Sequence, residues 1–144
     1  PTDIVNYNTV TFSVSVTVNP AKPVGTTYIG WLNGASASDS AFLDYVFGAT
    51  APGTLDPNLK PTVAITGGNL VLTYYTREGT TGLTVTPKTS VDLAAGAGGW
   101  STAGVENVAE VAPTTVNGVS VRKHTASVPV IGVKKFLRIE AVQQ

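Results

Sequence analysis

The sequence predicts an all-β fold: an antiparallel β-sandwich with one short helix near residues 39–47 and a long N-terminal strand. Three observations carry this. In "TVTFSVSVTV" (9–18) every second residue is apolar (Val10, Phe12, Val14, Val16, Val18), and each residue between carries a hydroxyl. Such alternation specifies a strand with one dry and one wet face. Further along, short β-patterned runs recur at roughly 8–12-residue spacing, separated by Gly, Pro and Asn, as in a sandwich. Helical spacing, in contrast, shows in one place only.

The elements follow in order. After the first strand, "NPAKPVG" (19–25) is a connection, because its two prolines remove backbone donors. "TTYIGWL" (26–32) reads as a second strand. In "SASDSAFLDYVFG" (36–48), Phe42, Leu43, Val46 and Phe47 recur at helical spacing. Ser38 or Ser40 is the candidate N-cap, Asp39 suits the positive end, and Gly48 stands where a C-terminal glycine belongs. "ATAPGTLDPNLKP" (49–61) is a loop by its prolines and turn residues. "TVAIT" and "LVLTYYT" flank Gly67-Gly68, a hairpin signal. "GLTVTP" (82–87) and "KTSVDL" (88–93) read as two short strands, and "AAGAGGW" (94–100) as a loop ending on a bulky anchor. "VENVAEV" (105–111) fits a strand or a helical turn. "TTV-NG-VSV" is a second hairpin, since Asn117-Gly118 suits a type I′ turn. "KKFLRIEAV" (134–142) closes the chain as a strand with Leu137, Ile139 and Ala141 on one face.

Size and charge bound the kind of object. With 144 residues the chain is expected to form a single β-sandwich domain, residues 1–144, in which 1–18 supply the N-terminal strand. It has no cysteine, hence no disulfide, thiolate metal site or thiol redox chemistry. The chain starts at Pro1 and contains no Met; a cleaved export leader is the favoured expectation, trimming of the chain its alternative. No stretch is long and apolar enough to span a membrane, so membrane insertion is not expected. Charged residues make up 12% and sum to zero, against roughly 25% in an ordinary domain. Low net charge protects poorly against association, which suits a surface covered by copies of itself as well as a compact Thr-rich monomer.

Catalytic and binding constellations are thin. His124 is the only histidine; it follows Arg122 and Lys123 without a nucleophile motif and is expected at the surface. One His and no Cys leave no zinc set, and "GAGG" (96–99) lacks the lysine and helix of a phosphate loop. Glu106 and Glu110 would stand about 13 Å apart on a strand, too far for either glycosidase mechanism. No enzyme and no cofactor are therefore expected. Trp31, Trp100, Tyr7, Tyr28, Tyr45, Tyr74 and Tyr75 are the rings on which a polysaccharide could stack. Of these, Tyr74 and Tyr75 must point to opposite faces, one of them into the core. Arg122, Lys123, Lys134, Lys135 and Arg138 would gather if the last two long strands paired. Zero net charge speaks against nucleic acid, and lysines that discourage edge pairing are the ordinary explanation.

Residues 41–144 resemble a C-terminal β-domain of large secreted proteins from the Planctomycetes–Verrucomicrobia group. The carrying motifs, in order, are "FLDYVFGA", "LVLTYYTREGTTGLTVTPKTSVDL…GW" and the ending "KKFLRIEAV". The resemblance implies export and an all-β fold, and little about activity. Relatives often carry an Asp-rich calcium-type loop before the helix. Here "NGASASDSAFLD" (33–44) has Ala35 and Ala37 where oxygen ligands would alternate. Asn33, Asp39 and Asp44 alone fall short of the six to eight oxygens calcium takes, so no calcium is expected. The module usually ends a much larger protein, whereas here it follows one long strand.

The leading expectation is an exported, cell-surface structural protein, a homopolymer subunit built by β-strand complementation through Val10, Phe12, Val14, Val16 and Val18. A ten-residue strand is longer than the usual five or six, and its apolar face demands burial. Either it folds back into its own sandwich or it completes the sheet of a neighbouring copy. The alternatives are a secreted carbohydrate-binding or adhesion module and a viral capsid or tail subunit.

Overall fold

A computed structural model of the chain describes residues 27–130, 132 and 134–144. The expected strand 9–18, with its five apolar residues, lies outside the described residues. So do the connection 19–25 and Tyr7.

The described chain begins with α1 (Tyr28–Leu32), where the sequence pattern predicts a strand. Local capping explains the correction. Thr27 Oγ1 accepts from Gly30 N, and Trp31 N donates to Thr27 O at 2.8 Å. Tyr28 and Leu32 then lie one turn apart, and both enter the core. Burial of that pair overrides the β preference of "TTYIGW". Asn33, with φ 47°, ends the turn. The described residues therefore hold two α-helices rather than one.

The second, α2 (Asp39–Phe47), forms as its sequence predicts. Ser38 is the N-cap, its Oγ accepting from Ala41 N at 3.0 Å. At the other end Gly48 has φ 99° and donates to Asp44 O and Tyr45 O. A Cβ there would run into Val121, so only glycine fits this stop. One 3₁₀ turn follows at Pro57–Leu59, capped by Asp56.

Among the described residues seven strands make two antiparallel sheets. β1 (Thr62–Thr66) and β2 (Asn69–Arg77) form a hairpin around Gly67-Gly68, both with positive φ. β3 (Leu83–Ser90) is one strand where two short ones are expected. Pro87 does not break it, because its missing N–H falls on the side away from the partner strand: neighbouring Thr89 exchanges hydrogen bonds on that side with Ser101. β4 (Glu106–Ala109) settles the strand-or-turn choice as strand. β5 (Thr114–Val116) and β6 (Val119–Pro129) flank Asn117-Gly118, both with positive φ. β7 (Phe136–Gln143) closes the chain.

The five-stranded sheet runs β1-β2-β6, with β4 and β5 both pairing the far side of β6; β3 and β7 make the second sheet. The last two long strands, β6 and β7, thus lie in different sheets. One core unites the sheets and helices. It takes Leu70, Leu72 and Tyr74 from β2, Ala126 and Val128 from β6, and Leu137, Ile139 and Ala141 from β7. Phe42, Tyr45 and Val46 of α2 are fully buried in it. The fold is mostly β, with two antiparallel sheets and two short helices.

Candidate functional site

The sheet edges are built by register. In β3–β7 the paired residues include Pro87↔Ile139 and Thr89↔Leu137. Because Thr89 turns its backbone groups toward Ser101, away from β7, the directly opposite Leu137 turns its own groups away from β3. The alternation carries this to Ile139, Ala141 and Gln143. Four consecutive odd positions of β7 thus present N–H and C=O on the side away from β3. Among the described residues β7 pairs with β3 alone. Its two faces differ: Leu137, Ile139, Ala141 and Gln143 are buried, while Arg138 and Glu140 carry charge on the other side.

Next to β7 lies an apolar groove of about 320 Å³. Leu43 and Phe47 of α2, Leu55 and Pro61 of the connection before β1, and Ile139 of β7 line it. Lys60, Ser40 and Asp44 supply its polar rim; Asp44 Oδ2 is engaged by Gly53 N at 2.7 Å. Of the α2 residues that border the groove, Leu43 is partly buried, and Phe47 also belongs to the core that Phe42 and Val46 fill.

A second cluster sits where β2 meets β6. The His124 ring stacks on Tyr74 at 4.9 Å, and its Nε2 shares a 2.8 Å hydrogen bond with Thr76 Oγ1. Expected at the surface, His124 is instead half-buried, since position 124 faces position 74 across the pair. Burial, then the charge of Arg122, lowers its pKa below the ordinary 6.5, with Glu78 opposing. Nδ1 is buried without a partner. Among the described residues no carboxylate hydrogen-bonds the ring, so the Thr-His pair stands there without a described third member of a triad. Tyr74 itself is pushed up to about 12 by burial, against its hydrogen bond with Asn107. It holds its proton throughout the neutral range.

The basic residues that would gather if the last two long strands paired are dispersed, because β6 and β7 lie in different sheets. Arg122 makes a two-pronged pair with Glu78, at 2.9 and 3.0 Å, and Lys123 reaches Glu110 at 3.4 Å. Arg138 belongs to the other sheet, beside Glu140 and over the Trp100 ring at 4.5 Å. Lys134 lies over Phe136, also in that region. With β6 and β7 in different sheets, these residues share no strand pairing among the described residues.

The aromatic candidates are mostly used in packing. Tyr28, Tyr45 and Tyr74 are at most 1% exposed, and Trp100 is 6%. Trp31, expected on a strand, sits on α1, its Nε1 donating to Ala49 O at 3.0 Å. Tyr74 is the buried member of its adjacent pair, and Tyr75 is only half-buried. Of the calcium-type stretch, Asp39 occupies the first turn of α2 and Asn33 the end of α1. Among the described residues no three His, Asp or Glu side chains converge where a metal ion could bind. No described helix is long and apolar enough to cross a membrane.

Sequence reasoning missed the groove and the side of β7 that no described strand pairs. The alternation of "FLRIEAV" shows a two-faced strand but not which neighbours it has. No protein-family model, curated protein or solved structure matches this chain.

Proposed function

We propose that this protein is an exported structural subunit, without catalysis, that polymerises at the cell surface by lending residues 9–18 to the sheet of the next copy. The observation that carries the reading is the ten-residue alternation Val10 to Val18, a strand too long and too two-faced to remain unpaired. Sheets that, among the described residues, end in strands with a partner on only one side, and a groove lined by Leu43, Phe47, Leu55 and Ile139, support it. In this reading the two sheets face each other as a sandwich across their shared core. The resemblance of residues 41–144 to a secreted C-terminal β-domain supports export, and low charge supports close packing of copies. A donated strand makes a head-to-tail contact, which propagates into a fibre instead of closing into a dimer.

Electron microscopy and sedimentation of the purified chain test this. Filaments or a ladder of oligomers are expected, reduced to monomer by Val14→Asp, which puts a charge on the dry face of the strand. A chain that stays monomeric at high concentration would exclude the proposal.

A further inference from the structure

Resting on that reading, we infer that the acceptor for residues 9–18 of a second copy is the side of β7 that faces away from β3, together with the adjoining apolar groove.

Comparing the outer strands singles out β7. In the β1 hairpin, residues 62, 64 and 66 pair inward with β2, so only Val63 and Ile65 present backbone groups outward. On β4 the inward pairing of Glu110 with Lys123 leaves Asn107 and Ala109 outward. β5 leaves Thr115 alone. The outer side of β3 is closed at one end by the Thr89–Ser101 bonds and lacks the N–H of Pro87. β7 presents four residues in an unbroken row, Leu137, Ile139, Ala141 and Gln143. A ten-residue strand presents five on one side, so β7 is the described outer strand that matches it best in length.

The faces match as well. In an antiparallel pairing, residues that exchange hydrogen bonds lie directly opposite on the same face of the sheet. The residues that β7 offers for bonding are those whose side chains are buried. Their partners on the incoming strand are therefore residues of one parity, with side chains on the core side. In 9–18 that parity is Val10, Phe12, Val14, Val16 and Val18, continuing the apolar face of Leu137, Ile139 and Ala141 toward the groove. Thr9, Thr11, Ser13, Ser15 and Thr17 then fall beside Arg138 and Glu140 on the polar face. Shifting the strand by one residue would put hydroxyls into the groove, so parity is specified even before the register is.

The chain has no cysteine, so introduced thiols are unique reporters. Full-length chains carrying Thr11→Cys, Ser13→Cys or Ser15→Cys are mixed under oxidising conditions with chains carrying Glu140→Cys or Val142→Cys, the two sets differing in mass. Positions on the polar face would form non-hydrogen-bonded pairs, with Cα atoms about 4.5 Å apart, within disulfide reach. Val142→Cys leaves the Lys88–Glu140 pair intact and guards against a folding defect in the Glu140 variant. The expected result is a mixed dimer with one β7 position, at least about tenfold above the yield with Ala64→Cys on β1. Preferred crosslinking to Ala64→Cys overturns the β7 acceptor while leaving strand exchange standing. If mixed dimers are absent but a doubly substituted chain closes its disulfide internally, strand exchange between copies fails and the proposal falls with it. No disulfide in either format overturns the acceptor, and filaments in the same preparation would show that polymerisation uses another surface.

Discussion

The two sheets manage their outer strands differently. The five-stranded sheet ends in short pieces: β1 has five residues, and β4 and β5, with four and three, share the far side of β6. Short outer strands are poor templates for pairing. The two-stranded sheet has two eight-residue strands, of which β3 is guarded by Pro87 and the Ser101 bridge. Among the described residues β7 has the length without such a guard. Growth of a sheet is governed by its least protected side, so if copies associate as proposed, the smaller sheet is where the contact is expected.

Substitutions at equivalent places on the two sheets separate them. Trp100 stands under Arg138 at the small sheet and is nearly buried, its Nε1 donating to Ala95 O. Trp100→Ala should cost about 3–5 kcal/mol, read as a lowered urea midpoint. It should leave any polysaccharide affinity unchanged, since the ring is used in packing. Ile139→Ala, at 2% exposure, should cost about 2–5 kcal/mol and also weaken assembly. Val63→Ala on β1, where the side chain is 39% exposed, should cost under about 1 kcal/mol and leave assembly intact. Equal effects on assembly at Ile139 and Val63 would erase the distinction between the sheets.

What the sequence made legible follows from the range of the interactions. α2, its Ser38 cap and Gly48 stop, and both glycine-containing hairpins are set by neighbours within a few residues, and all form as read. α1 was not legible, because its decisive gain is burial of Tyr28 against Phe42 and Tyr45, further along the chain, and of Leu32 in the same core. Continuity of β3 through Pro87 depends on which side of the strand faces β7, a tertiary fact. The place of His124 likewise needs the register of β2 on β6. The groove needs three segments at once, and no local pattern announces it.

Acidification should affect the large sheet first. His124 has a folded-state pKa below 6.5, held down mainly by burial. Above pH 6.5 both folded and unfolded states keep it neutral and its contribution is fully present. As pH falls below 6.5 the unfolded chain takes up the proton more readily, and stability declines until pH passes the folded pKa. Glu78 and Glu140, whose pKa values are lowered chiefly by hydrogen bonds from Arg122 and Lys88, lose their contributions only further down, below about the ordinary 4.5. A urea midpoint that drops between pH 7 and 5, and a flatter profile for His124→Gln, are expected. A midpoint that holds constant to pH 5 would show that the stacked ring accepts its proton without cost.

The smallest effect expected concerns the ion pairs. On the large sheet Lys123 reaches Glu110 at 3.4 Å with both side chains well exposed. On the small sheet Glu140 is held at once by Lys88 at 2.8 Å and Arg138 at 3.0 Å, all three half-buried or better. Exposed pairs gain little, because water screens the attraction and ordering two long side chains costs entropy. Lys123→Ala should therefore change stability by under about 0.5 kcal/mol. Lys88→Ala should cost more, since it leaves Glu140 with Arg138 alone and strips its shortest hydrogen bond. The difference should shrink in 1 M salt, where the Debye length falls to about 3 Å, although partly buried pairs are screened less. If Lys123→Ala proved the more damaging, the charged face of β7 would contribute nothing special to its sheet.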